Sequence, residues 1–589
     1  MRSVCIGKLF RRAPRLEFAP EISFCVKCNT EMQVRKTRPL MLTTLDIGTA
    51  AVRERILFCP RCDIDYGSDE LRRLKPPGSR FGYDVLVYVG ESMFLRYRDA
   101  KEIKNELRDR QVKISESEVF YLARKFVVYL SLAHRQSQGK IKQLLDRNGG
   151  YILHLDATCE GDSPHLMTGI DGITEIVLEN DKLASEKTES IIPMLRRIKA
   201  MYGNPIALVH DMGKGICKAV ARVFPAIADF ICHFHFLADL GKDLFGREND
   251  TIRKRLSKHG AQGKLRKRLR KLTDTVEANP SLVELLTNSL DEHRPIDDTP
   301  TLMPAIACYV LEQWALAAKK EGRGYGFPFD RPYLLFYNRL RLLSPALKLL
   351  GKTTATGKGK HNTPYHKVFR DLIDTMNDSR LRKAADEMEE KVQVFDKLRD
   401  AMRVALPAGR RGLNDRGSSE KISTIEKRVT RFRHWLSNDR SLSQKQCYKD
   451  MIAQLDKYWD KLFCDPVVVD TPDGTVVVQP QRTNNIIEHF FRSLKYIYRK
   501  KSGANSLAKT IKAMIADTPL IKNLTNPEYV NIILNGKISL AERFADVDIH
   551  NVRKELSNLQ LRTAKVPAKL KKLIKDPNLP QTLVALFGS

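Results

Sequence analysis

The chain has 589 residues, 42% of them hydrophobic, and a formal net charge of +31. Its length exceeds what one hydrophobic core organises and predicts roughly three to five packed domains. A positive surplus of this size repels itself without a polyanionic partner. Nucleic acid is the expected one, with a ribosome-associated role or general basicity as the plainer readings. The opening residues, MRSVCIGKLFRRAPRLEF, hold no long apolar stretch, and no run of 18 apolar residues occurs anywhere. Neither a signal peptide nor a membrane span is therefore expected. The 11 cysteines do not form a secreted disulfide framework, and in a reducing compartment paired cysteines point to metal.

In chain order, Cys25-x-x-Cys28 and Cys59-x-x-Cys62 come first. Each pair sets two thiolates on a tight turn, and together they complete a tetrahedral, structural Zn²⁺ site in a zinc ribbon over residues 1–75. Redox-active or incidental cysteines are the alternative. KPPGSR (75–80) is a linker. Apolar and amphipathic segments at 81–95 and 99–109 precede a longer helix starting at Ser115, where Ser115 and Glu118 match a capping box. Val119, Leu122, Phe126 and Leu130 lie near one face. A turn near Gln111–Ile114 makes residues 76–148 a helix-turn-helix domain, with Arg124 and Lys125 on the exposed, DNA-facing side. A plain helical spacer is the alternative.

Residues 149–245 alternate between strand and helix. Strands are predicted at 151–159, 165–170, 174–180, 206–211 and 228–236, with a hairpin turn at Asp171-Gly172 and helices at 185–203 and 213–225. This order matches the first part of an RNase H-like core, in which the first and fourth strands lie side by side. Residues 246–478 form a helical insertion that ends in a β-hairpin on Pro-Asp-Gly (467–478). Within it, 253–271 holds ten Lys or Arg, either a grip for phosphates or a solvated helix face. The loops 351–364 and 406–421 read as mobile. The last core helix, in 479–540, starts near Asn484 or Asn485, and a helical tail (541–589) follows. The predicted fold class is thus a multidomain α+β chain. An RNase H-like α/β core is interrupted by a large all-α insertion and preceded by a zinc ribbon and a helix-turn-helix domain.

Three acids draw attention: Asp156 in LDAT, Asp211 in VHD, and Glu488 in TNNIIEHFFRSLK, 277 positions beyond Asp211. Two strand carboxylates and one helix carboxylate can converge on a pair of divalent cations. Such a pair supports in-line attack at a phosphodiester. Asp162, Asp171, Asp229 and Asp239 read as turn or surface acids. His154 shares a strand face with Asp156 and lines the cleft or is a satisfied polar residue. Arg492 and Lys495 share the side of Glu488 and either bind a DNA strand or are ordinary surface charge. Cys159 and Cys217 are expected to be buried and inert.

The paired CxxC knuckles, LDAT, VHD, CHFH (232–235) and TNNIIEHFFRSLK together resemble DDE transposases of the bacterial insertion-sequence type, related to Mutator-like elements. The resemblance spans roughly residues 20–520. LDAT stands where the family more often has DGT or DET. The resemblance implies a DNA transposase that binds terminal inverted repeats, cleaves the ends and joins their 3′-hydroxyls to target DNA. It implies two Mg²⁺ (or Mn²⁺) held by Asp156, Asp211 and Glu488, and double-stranded DNA as partner. A homodimer or higher assembly on DNA and a cytoplasmic, nucleoid-associated bacterial location also follow from it. Cys232 and His235 match a family C-x-x-H element that fastens the strand to the insertion, contacts DNA or binds a metal. A domesticated DNA-binding descendant and a nuclease without strand transfer are the alternative functions.

Overall fold

The computed structural model describes residues 13–562 except 297–298, 354–362, 406–420, 464–465, 481 and 503–505, and adds 577–579 and 581. Most of the two loops expected to be mobile, and most of the tail beyond 562, lie outside the described residues. The amino-terminal sheet comprises β1 (Arg15–Phe18), β2 (Gln33–Thr44), β3 (Gly48–Cys59) and β4 (Ile64–Tyr66). Long β2 and β3 pair antiparallel, β1 runs parallel to β3, and β4 turns back onto the end of β3. On β3, Ala50, Val52, Glu54 and Ile56 are buried on alternate positions, the pattern of a strand with one covered face. The buried Glu54 carboxylate is paired with Arg38 on β2.

Helices follow at Tyr83–Phe94, Ala100–Asp109, Glu116–Gln136 and Gln138–Arg147. Asp99 with Glu102, and Ser115 with Glu118, form capping boxes that fix the two helix starts on either side of the Arg110–Ile114 turn. The Tyr83–Phe94 helix crosses the Glu116–Gln136 helix at Gly90, where a Cβ would fall 2.1 Å from the Phe126 ring. Only a glycine permits that approach.

The helical stretch is not a separately cored module. From Lys125 to His134 every residue of its long helix is buried. Phe126, Tyr129 and Leu130 belong to the same apolar core as Leu153 and Leu155 of the next sheet and as Tyr529 and Phe544 near the carboxyl end. Helices at Pro527–Leu534, Leu540–Ala545 and Ile549–Arg562, with a 3-10 turn at Thr518–Thr525, fold back to pack there. Arg135 bridges Asp517 and Glu555, and His134 Nδ1 lies 2.9 Å from the Tyr529 hydroxyl.

The central sheet contains β5 (Ile152–Thr158), β6 (His165–Asp171), β7 (Val177–Leu183), β8 (Ala207–His210) and β9 (Asp229–Ile231), in the order β7-β6-β5-β8-β9. The first three run antiparallel, and β5, β8 and β9 run parallel. Helices Thr188–Tyr202 and Lys214–Val223 make the crossovers and pack on each other. Two expectations shift here. The tight Asp171-Gly172 hairpin is instead a longer turn, and the third strand starts at Val177. The reason is the Asp171 carboxylate, which is buried and accepts from the amides of Ile152, Ile173 and Thr174 and from the Thr174 hydroxyl. It is a turn acid, as read, but not a surface one. The fifth strand is also shorter than 228–236, because a helix begins at His233.

The insertion consists of helices from His233–His259 to Trp459–Leu462 around a second core that includes Phe236, Phe245, Tyr337, Phe395 and Tyr448. It is closed at its neck. His233 N donates to Arg482 O at 2.8 Å, Asn484 N donates to Cys232 Sγ at 3.3 Å, and buried Arg482 donates to Met402 O. Strands β10 (Val467–Thr471) and β11 (Gly474–Val478) form the expected hairpin. It lies against Gly149, whose positive φ leaves no room for a side chain beside Val469. The Asn485–Ser502 helix then returns the chain to β5. Among the described residues no helix is long and apolar enough to cross a membrane.

Candidate functional site

Strand periodicity decides where two of the three acids point. Leu153 and Leu155 of β5 face the core shared with the helices, so Ile152, His154 and Asp156 face the other way. Ala207 and Val209 of β8 join Ile152 in a small apolar cluster on that opposite face. The parallel register pairs Ile152 with Ala207 and His154 with Val209. Continuing that register leads to Asp156, still on β5, and to Asp211, the residue just past the end of β8.

Glu488 reaches them through its helix start. The buried Asn484 side chain ties that start to β5: its Nδ2 donates to Leu155 O at 2.7 Å, and its Oδ1 accepts from His154 Nδ1 at 3.0 Å. Burial holds the His154 ring at about 4, so it is neutral and serves this bond; His154 is a support for the site. One turn into the helix, Glu488 comes close enough to act on Asp156. The Asp156 carboxyl is pushed up to about 7, first by burial, with the charges of Asp211 and Glu488 adding to the rise and His235 opposing it. Asp211 and Glu488 are thus near enough for their charges to act on Asp156.

His235 and Cys232 stand at the same place. His235 Nε2 is 3.6 Å from Glu488 Oε1. Burial alone would lower the ring's pKa, but Cys232, Asp156 and Glu488 outweigh it and bring it to about 10. Donor atoms of Cys232, His235 and Glu488 all lie within 4.8 Å of one another. Next to them His210, beside Asp229 and Cys217, is raised to about 9 despite its burial, and Asp229 also pairs with Lys461. Asp229, read as a turn or surface acid, is therefore a partly buried ion-pair partner. Asp162 is exposed and paired with Lys512, and Asp239 is exposed.

The second cluster is the four thiols. Sγ atoms of Cys25, Cys28, Cys59 and Cys62 lie within 4.8 Å of one another and could hold a structural metal ion such as zinc. Both knuckles use the same turn. Asn29 N donates to Cys25 O, Asp63 N donates to Cys59 O, and Asn29 and Asp63 each take a positive φ that ends the turn. The Thr30 hydroxyl and amide hold Cys28 down to about 6, whereas the neighbouring Cys28 thiolate and burial push Cys62 up to about 12. Four adjacent thiolates would repel one another, and a bound cation would offset that repulsion.

Of the basic candidates, Arg124 is exposed on the Glu116–Gln136 helix beside exposed Ser117, Phe120 and Tyr121. Lys125 is not on that side. It is 9% exposed, with its ammonium over the Tyr121 ring at 4.7 Å, because the helix enters the core at this residue. Arg492 and Lys495 are both exposed. The basic run 253–271 divides. Arg255 and Arg268 are used internally, on Asp378 and Asp371, while Arg266, Lys267, Arg270 and Lys271 are exposed. Cys159 is exposed and Cys217 partly so; both were expected to be buried, but Cys159 lies one residue past the end of β5.

Asn484 and the neck residue Arg482 are the supports that sequence reasoning undervalued. Their signal was a Thr-Asn-Asn cap written immediately before the acidic helix. The juxtaposition of Cys232 and His235 with Glu488 had no local signal, since the insertion separates them. No protein-family model matches the chain, and no curated protein matches it.

Proposed function

We propose that this protein is a DNA transposase of the DDE type, built on an RNase H-like core that the helical insertion interrupts. The observation that carries the reading is the nearness of Asp211, just past β8, and of Glu488 to Asp156 on β5, close enough that their charges act on its carboxyl. The mixed strand order, with three antiparallel strands followed by two parallel ones and helical crossovers, agrees with that core. The donor set fits divalent cations: the acids are hard oxygen ligands, and Asp156 is pushed up to about 7, first by burial and then by the charges of Asp211 and Glu488. Mg²⁺, or Mn²⁺ in its place, bound among these three residues would activate an attacking oxygen and neutralise a leaving one. The chain itself supplies the rest. Asn484 and His154 fix the helix that carries Glu488, and exposed Arg492 and Lys495 lie further along that helix, where a phosphate backbone can be gripped.

End recognition falls to the ribbon, with zinc in its four-thiol site, and to the exposed start of the Glu116–Gln136 helix. Arg124, Ser117, Phe120 and Tyr121 would meet base edges while the lysines and arginines elsewhere give salt-sensitive affinity. Holding two DNA ends requires at least a dimer. The test is incubation with labelled DNA from either side of the coding frame, a plasmid target and Mg²⁺. Joined products support the transposase. Cut ends without joining make the protein a nuclease, and binding without cutting makes it a DNA-binding descendant.

A further inference from the structure

We infer that Cys232, His235 and Glu488 form a second transition-metal site, sharing Glu488 with the three acids but distinct from them in ligand chemistry, that takes Zn²⁺ or a similarly thiophilic divalent ion. The inference rests on side-chain geometry and does not depend on the transposase reading. The three donor atoms lie within 4.8 Å of one another. A tetrahedral zinc site with bonds of about 2.0–2.3 Å sets its donors roughly 3.3–3.7 Å apart, so small side-chain rotations close the site.

Each ligand is prepared for the role. Cys232 is fully buried, caps the amino-terminal end of the His233–His259 helix and accepts the Asn484 amide at 3.3 Å. His235, one turn on, aims its ring at Glu488, and its buried Nδ1 has no hydrogen-bond partner. The ring interacts with both Cys232 and Glu488, so one cation could take the imidazole, the thiolate and the carboxylate together. A sulfur, nitrogen and oxygen set selects zinc over magnesium. Ion binding displaces the Cys232 proton to solvent, and three protein ligands leave the fourth position to water.

The site would also have a structural consequence. Cys232 and His235 open the insertion, and Glu488 lies just after its end. An ion among them would clasp both ends of the insertion at its neck, beside the contact that Asn484 makes with Cys232. Glu488 would keep its second carboxylate oxygen for a cation held with the neighbouring aspartates.

Metal content reads this directly and needs no activity. The full chain, purified and dialysed against a weak chelator, should hold two zinc ions per chain. Cys232→Ser and His235→Gln should each reduce that to one, with unchanged far-ultraviolet circular dichroism, and Cys25→Ser should remove the other. Cobalt-loaded Cys25→Ser protein should retain a thiolate-to-cobalt charge-transfer band that disappears on adding Cys232→Ser. One zinc in the parent chain, lost on Cys25→Ser, would overturn the inference. So would a second zinc indifferent to both Cys232→Ser and His235→Gln. The partly exposed His235 gives a variant that should fold even if Cys232→Ser does not. DNA joining in the presence of Mg²⁺ is a separate readout, so this inference and the transposase reading can fail independently.

Discussion

The two clusters of potential metal ligands are built in opposite ways. In the ribbon, four thiols come from two copies of one tight turn within a single small sheet. In the central sheet, the acids come from two strands and from a helix that returns after the whole insertion. The first is local and closes on itself. The second exists only when β5, β8, the neck and the Asn485–Ser502 helix are all in place. A local site draws its stability from the ion, whereas an assembled site draws its geometry from the fold.

The largest effect should follow from attacking the local site. Cys62→Ser, or strong chelation, should unfold residues 13–66, because a structural metal site contributes binding energy on the order of 10 kcal/mol to its small domain. Hydrogen exchange should show lost protection in β2 and β3 and unchanged protection in β5 and β8. If protection fell throughout, the ribbon would not be the independent unit this contrast requires.

Asn484→Ala attacks the assembled site at its tether. It leaves the Leu155 carbonyl and the His154 ring unpaired in a buried setting, at a cost of about 2–3 kcal/mol. The melting temperature should fall, and exchange should rise in the Asn485–Ser502 helix while the ribbon is untouched. Retained protection in that helix would place its anchor elsewhere.

A smaller and pH-dependent effect belongs to the insertion. Glu312 is fully buried, its carboxylate oxygens have no hydrogen-bond partner, and burial pushes it up to about 8 despite nearby Arg268. The folded state therefore holds this proton more tightly than the unfolded chain, where a glutamate titrates near about 4.3. Its contribution is full below that pH, declines as pH rises to about 8 and is flat above. Denaturant titrations of the parent and of Glu312→Gln should diverge over this window; parallel profiles would mean the carboxylate finds a partner in solution.

The smallest effect on stability is expected at Arg124. Arg124→Ala should change folding stability by no more than about 0.5 kcal/mol, as for an exposed residue, yet weaken DNA binding and flatten its salt dependence by about one charge. Lys125→Ala should do the reverse, costing stability through lost packing and leaving the salt slope alone.

These contrasts also explain what could be read in advance. The CxxC pairs were legible because metal geometry writes its spacing into a few neighbouring residues. The face of Asp156 was legible because a period of two fixes it once β5 is known. Lys125 was misplaced because a helix pattern reveals its own stripe, and cannot reveal that the sheet and the carboxyl-terminal helices surround its later turns. The fifth strand was drawn too long because Phe230, Cys232, Phe234 and Phe236 alternate like a strand, although the chain turns helical at His233 to enter the insertion. The turn after β6 was misjudged because Asp-Gly signals a tight hairpin, while the buried Asp171 carboxylate organises a wider one.

The most direct test of the central claim is strand transfer by Glu488→Ala protein, scored beside Asp156→Ala, Asp211→Ala and the exposed controls Asp162→Ala and Asp239→Ala, with DNA-end binding measured on each. The account predicts that the first three neither cut nor join in Mg²⁺ while still binding ends, and that both controls remain active. A Glu488→Ala protein that cuts and joins at the parent rate would contradict it, and would remove the returning helix from the catalytic site.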